Sequence, residues 1–191
     1  MKYEMTDQSI IIQGIKLYRI KALKGFCNVK KGDLGGFIQG EQNLSQYSNA
    51  WIDDEAKVFG NARVFGNAKV FGNARVFGNA VVYNNAEVFD ESRVYENAEV
   101  FDEARVLHNA RISGFANITS KNEWMTFTNV GSENETLNAF KSLQNIEVDQ
   151  GLFVGTLEEF EEKVEETHGN NENGKLYKVL IEAIKLRFGE R

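Results

Sequence analysis

The chain contains no proline and a single cysteine, Cys27, among its 191 residues. One cysteine excludes an internal disulfide and any cysteine-cluster metal site. Only two histidines occur, His108 and His168, so one chain cannot supply a three-histidine zinc site. Apolar runs stay well short of the roughly 18 residues a membrane helix needs. The start, Met1 to Asp7, is polar and lacks the apolar stretch of a secretion signal. The expectation is a cytoplasmic protein with no membrane contact. A formal charge of −6 argues against general nucleic-acid affinity. What remains is ample for a core, since 42% of residues are hydrophobic.

Charge divides the chain into three segments. Residues 1–43 carry 7 Lys/Arg against 4 Asp/Glu, residues 44–118 carry 7 against 10, and residues 119–191 carry 8 against 14. The middle segment is repetitive. Residues 56–86 read AKVFGNARVFGNAKVFGNARVFGNAVVYNNA, a period of six. An aliphatic residue recurs every six positions from Ile52 to Ile118, and a small one from Ala56 to Ala116. A helix would repeat at 3.6, so six fits short strands joined by tight turns. In Ala62-Arg63-Val64-Phe65, alternation puts Ala62 and Val64 on one face and Arg63 and Phe65 on the other. The Ala/Val register must point inward, because the Arg/Lys/Glu register cannot be buried unpaired. Gly66-Asn67 then makes the corner. Three hexads form a coil of 18 residues, and the twelve from Ile52 to Ile118 give about four coils stacked roughly 4.8 Å apart.

An aliphatic residue followed four positions later by a small one, as in Val58…Ala62 and Val64…Ala68, resembles the hexapeptide-repeat left-handed β-helix family. The implied fold is mainly β: a left-handed parallel β-helix over 44–118, with an N-terminal β cap (1–43) and a C-terminal α+β domain (119–191). The Phe or Tyr after each inward valine departs from the family's usual small or acidic residue.

In the ends, Ile10–Ile12 and Lys16–Ile20 read as short strands, and Gly32–Phe37 as a turn into the first coil. Trp124–Val130 and Leu152–Val154 read as strands. Thr156-Leu157-Glu158-Glu159 is a capping box that opens a helix with Leu157, Phe160 and Val164 as its stripe and Gly169 as its stop. A second helix carries Leu176, Val179, Leu180, Ala183, Ile184 and Phe188. The Glu158–Glu166 run reads as a solvated helix face. Leu17–Lys24, Gly32–Phe37 and Gly155–Gly169 add a resemblance to the YdcK-like group and related phage and prophage β-helix proteins. That group carries an acyltransferase label resting largely on its fold, and fold does not carry function.

A spacing of 18 sorts the outward residues by face. Phe59, Phe77 and Tyr95 share one, beside Lys57, Arg75, Arg93 and Arg111. Phe71, Phe89 and Leu107 share a second, and Phe65, Tyr83 and Phe101 a third. These ladders serve cross-coil packing or burial in a homo-oligomer. The resemblance implies a trimer. Asn61, Asn79 and Asn97 stack at one corner.

Three functions compete. The basic column (Lys57, Arg75, Arg93, Arg111) and its aromatic neighbours (Phe59, Phe77, Tyr95) suit a protein partner. With the resemblance, this reads as a non-enzymatic phage or prophage accessory protein binding a host or phage protein, inhibition of a host defence complex being one such role. The alternative is a hexapeptide-type acyltransferase, whose base would be His108, the only histidine in the coils. His108 occupies an exposed corner, and neither histidine has a supporting acid or an oxyanion donor nearby in sequence. The third is a sponge for a small anionic ligand such as a nucleotide signal, near Arg93 and Tyr95. No metal or cofactor is expected. A flat threonine ladder, as an ice-binding helix would want, is excluded, since no threonine lies between Trp51 and Ile118.

Overall fold

The computed structural model describes residues 1–189. It is a β-solenoid whose two ends are closed by different structures. Twelve two-residue strands, β4 (Trp51–Ile52) to β15 (Asn117–Ile118), recur every six residues. Each pairs in parallel with the strand 18 positions away, as in Val58 with Val76 and Val76 with Val94. Every inward valine and alanine from Ala56 to Val106 is essentially inaccessible. Ser92 takes one alanine position, and its buried hydroxyl donates to the Phe89 carbonyl at 2.7 Å. A fully buried valine stabilises by roughly 1.5–3 kcal/mol relative to exposure, so the interior drives the stack.

The stack holds about five coils rather than about four. Strand β3 (Leu34–Ile38), where the sequence suggests a turn, pairs with β5 (Lys57–Val58), and Leu44 bridges to Val64. Both separations are 20 residues instead of 18. The two extra residues fall between Leu44 and Ile52, which are eight apart where Ile38 and Leu44 are six; just before them the chain makes a short 3₁₀ turn, Glu41–Asn43. There Asn43 is buried, its Nδ2 donating to the Gly60 and Ala62 carbonyls at 3.0 and 2.9 Å. Gly35 and Gly36 pass so close to the next coil that an added Cβ would lie 2.4 Å from the Ile52 oxygen and 2.5 Å from that of Ala56.

The first face is a seven-stranded sheet: a hairpin of β1 (Tyr3–Ile12) and β2 (Ile15–Ala22), then β3, β5, β8 (Arg75–Val76), β11 (Arg93–Val94) and β14 (Arg111–Ile112). A register shift in β2 between Arg19 and Lys21 changes which way its side chains point. Leu17 therefore covers Phe37 and Phe59 outside the solenoid, while Ile20 and Ala22 join its core. Tyr3, Trp51 and Phe26 close the upper end, the Tyr3 hydroxyl donating to the Leu44 carbonyl at 2.7 Å. Lys2 is buried with them, and its Nζ donates to the Ser48 and Ala50 carbonyls at 2.9 and 2.6 Å.

The lower end meets an antiparallel sheet of β16 (Trp124–Val130), β17 (Glu135–Lys141), β18 (Ile146–Gln150) and β19 (Phe153–Thr156). Alternation divides its work. Leu137, Ala139, Ile146 and Val148 face the helices, whereas Phe140 joins the solenoid core with Trp124. The Trp124 indole donates to the Arg105 carbonyl at 2.8 Å. Helix α1 (Leu157–His168) opens with the expected capping box: Glu159 N–H donates to Thr156 Oγ1 at 3.2 Å and Thr156 N–H to Glu159 Oε2 at 2.8 Å. Helix α2 (Glu172–Phe188) departs from its expected face. It buries Tyr177, Ile181 and Ile184, while Leu176 and Val179 stand in solvent.

Candidate functional site

On the first face the sequence forces a basic column. Lys57, Arg75, Arg93 and Arg111 are successive Cα partners in register. At that spacing their backbones lie roughly 4.8 Å apart. Two residues further along each rung stand Phe59, Phe77 and Tyr95. Their rings stack with centroids 5.1 and 5.0 Å apart and planes within 5°. The other ladders stack alike, Phe65–Tyr83–Phe101 at 5.1 and 4.9 Å and Phe71–Phe89 at 4.8 Å. Cross-coil packing is thus a property of all three faces.

The column differs along its length. Lys57 is half-buried, and its Nζ donates to the Glu55 carbonyl. Burial first, then the neighbouring Arg75, lowers its ammonium pKa. Phe59 is covered by the N-terminal hairpin. Arg111 at the lower end turns to Asp149, with Nε 3.7 Å from the fully buried Oδ1. The Tyr95 hydroxyl donates to Asp149 Oδ2, which also accepts from Ser113 Oγ at 3.2 Å. Burial, then the hydrogen bond to Asp149, raises the Tyr95 phenol pKa. Asn138 completes the junction, its Oδ1 accepting the Arg111 backbone N–H at 3.0 Å. Arg75 and Arg93 remain. Among the described residues neither guanidinium has an ion pair, and Phe77 stands on the Arg75 rung, stacked on Tyr95 of the next. The structure thus places the central three expected residues side by side, Arg93 exposed and Arg75 and Phe77 half-buried, with Phe77 also packed on the hairpin cluster. It commits the outer four to internal contacts.

Two other concavities carry charges of both signs. A groove of about 910 Å³ on the second face contains Trp51, Phe71, Lys69, Glu87 and Arg105. There Glu87 lies 3.6 Å from Lys69 and 3.1 Å from Arg105. A hollow of about 410 Å³ beside the junction sets Arg93 and Arg111 against Glu91 and Glu135. With Arg111 already facing Asp149, that hollow offers an anion no net positive charge.

His108 stands on an open corner, its side chain 71% exposed. It does have a supporting acid, contrary to what its sequence neighbours suggest. Asp90, one coil earlier, places Oδ2 3.3 Å from His108 Nδ1 and accepts the His108 backbone N–H at 3.0 Å. His168 closes α1 and stacks on Tyr177 at 5.4 Å. Sequence reasoning also missed Asp149, which bonds Tyr95 across 54 positions of chain. No period points to such a contact. The Asp90–His108 pair did carry a signal, the 18-residue coil spacing itself.

No curated protein matches the chain. The family described as YdcK Beta solenoid repeat matches residues 68–84, inside the run of hexads that builds the basic column and its ladders. The matched repeat lies within a continuous stack of parallel coils, so the chain is a β-solenoid protein whose hexads are similar to the YdcK repeat.

Proposed function

We propose that this protein is a binding module rather than an enzyme, and that it engages an acidic surface of a partner protein through Arg75, Phe77 and Arg93. The observation that carries the reading is a pair of guanidiniums with no ion pair among the described residues, held in register on a rigid sheet beside a stacked ring. Cations fixed in this way lose little freedom on binding, and Arg pairs with carboxylates in two-pronged geometry. The resemblance to phage and prophage β-helix proteins supports a host or phage protein as partner, met in the host cytoplasm, with a host defence complex among the targets. The resemblance also supports a homotrimer, which would bury an outward ladder such as Phe71–Phe89. The test is affinity capture at moderate salt with the wild type and an R75E/R93E variant. Stoichiometric capture of an acidic protein by the wild type alone, with equal melting temperatures, fits the reading. Equal capture by both would move the interface elsewhere.

One observation favours acyl transfer as a second reading. Asp90 holds the His108 ring through Nδ1, which leaves Nε2 free to act as a base. Turnover of an acyl-CoA that is lost in H108A would establish it. The absence of turnover with short- and long-chain thioesters would remove it.

A further inference from the structure

Twice the chain lays one of its own arginines on an aromatic ring beside a carboxylate. The Arg19 guanidinium lies 4.4 Å from the centre of the Phe37 ring and pairs with Glu55. Arg105 lies 5.2 Å from the Phe89 ring and 3.1 Å from Glu87. One rung above Phe89, the half-buried Phe71 ends the second-face ladder. The next rung up pairs Trp51 with Lys69 and Ile52 with Val70, so Asp53 stands where a further ring would be. Phe71, Asp53, Asp54 and Asp33 all line the groove of about 910 Å³. Lys69 and Arg105 are drawn to Glu87 between them. Among the described residues none of the three aspartates has an ion pair, and no cation lies over Phe71. The floor adds a donor. Trp51 is only 5% exposed, and its indole N–H has no acceptor among the described residues. That N–H is not sealed from solvent, so it opens into the groove that Trp51 lines.

We propose that this groove takes an arginine from an extended segment of a partner protein. The guanidinium lies on the open face of Phe71, bracketed by Asp53 and Asp54, in the arrangement the chain builds for itself at Phe37 and Phe89. A backbone carbonyl of the segment accepts the Trp51 N–H, a nearly buried donor that is costly to leave unmatched. The need for an acceptor and the surplus of carboxylates together choose a peptide over a free amino acid, whose own carboxylate the groove repels. Arginine is favoured over lysine because a planar guanidinium stacks on a ring and pairs with carboxylates at once. From the Trp51 rung to the Arg105 rung the groove runs roughly 14 Å at the strand spacing, the reach of about four extended residues. The site stands apart from the first-face reading, and a trimer that buries the Phe65–Tyr83–Phe101 ladder leaves this groove open.

The test is isothermal titration calorimetry of the full chain with acetyl-glycyl-arginyl-glycinamide, its citrulline counterpart and propylguanidinium. The expected result is one site per chain for the arginine peptide, with a shift in tryptophan emission. Citrulline keeps the shape and loses the charge, and propylguanidinium lacks the carbonyl, so each binds about tenfold more weakly. D53N/D54N also loses about tenfold. Asp54 Oδ2 accepts the Gly72 N–H at 3.0 Å, a bond that Asn keeps, so the variant folds. E158Q/E162Q removes as much charge from helix α1 and binds the peptide as the wild type does. The proposal is overturned by an absence of binding at millimolar peptide, by citrulline or propylguanidinium binding as tightly as the arginine peptide, or by D53N/D54N binding like the wild type. Self-association of the free chain that D53N/D54N abolishes would give the groove to a second copy and equally overturn it.

Discussion

Asp149 is the residue whose removal best tests how the solenoid and the C-terminal domain are joined. It is fully buried on β18 and accepts from Tyr95 and Ser113 while facing Arg111. Its backbone carbonyl also accepts from Asn138 Nδ2 at 3.4 Å, a bond that no side-chain replacement touches. Asp149→Ala removes two hydrogen bonds to a charged acceptor, each worth about 1.5–3 kcal/mol. Ser113, itself inaccessible, is left without that partner. Arg111 is a third exposed and recovers part of its loss in water, which discounts the ion pair. The expected destabilisation is about 3–5 kcal/mol. Asp149→Asn keeps the shape and loses the charge, for about 1–2 kcal/mol. Tyr95→Phe removes one donor and is expected to cost a similar amount. Because both changes break the same bond, the double variant should fall short of the sum of its singles by about 1–2 kcal/mol. The assay is urea denaturation followed by tryptophan fluorescence, since Trp124 sits at this junction and Trp51 at the opposite end. Proteolysis should fall first between Thr119 and Glu123, where the chain leaves the last coil. Additive effects in the double variant would refute the reasoning. So would an Asp149→Ala cost under about 0.5 kcal/mol, which would assign the junction to Phe140 and Trp124 alone.

Two further changes probe the ends and corners. Burial, then the charge of Lys24, lowers the Lys2 ammonium to about 8 from 10.5. Between those values the unfolded chain holds a proton that the folded chain has released. Stability should therefore rise from pH 8 to 10, with a slope of up to about 1.4 kcal/mol per pH unit. Above pH 10 the buried Tyr3 phenol acts in the opposite direction, because its pKa is raised and the unfolded chain ionises first. Lys2→Met should lose most of that rise, leaving only the smaller contribution of Lys57, and an unchanged slope would place its cause elsewhere. At the corner, Gly66 has φ +70°, and a Cβ would lie 2.7 Å from Asn84 N. Gly66→Ala should cost about 1–2 kcal/mol in urea unfolding, and Gly66→Asn less, since Asn tolerates this conformation. Equal stability of Ala and wild type would show that the corners relax freely.

The solenoid was legible because one short rule repeats. Val64 fixes which way Arg63 points, and 18 positions fix which residue stands below it. The basic column, the stacked rings and the Asn61–Asn79–Asn97 corner, bonded at 3.1 and 3.0 Å, all follow from that arithmetic. The first coil was hidden because it breaks the rule. Glycines stand at positions 35 and 36, where a side chain would strike the neighbouring coil, and two extra residues between Leu44 and Ile52 lengthen the period. Strands β17 and β18 were missed for a different reason: Leu137 and Phe140 serve cores on opposite sides of one strand. Helix α2 misled because it is apolar on two faces, and only the position of α1 decides which is buried.

All three faces carry stacked aromatic rings, so ring stacking cannot single out a functional surface. What distinguishes the first face is how its charges are used. On the second face Glu87 sits between Lys69 and Arg105, and a column with alternating signs satisfies itself. On the third, the Tyr83 hydroxyl lies 3.4 Å from Glu99. The first face stacks like charges, which opposes the packing of its own coils. The chain relieves that cost at both ends, where Arg19 reaches Glu55 above and Asp149 meets Arg111 below. Arg75 and Arg93 have no ion pair among the described residues. A repeat that could place Glu at any outward position, and does so at Glu87 and Glu99, leaves these two rungs positive. Folding alone gains nothing from that arrangement, whereas an acidic partner would.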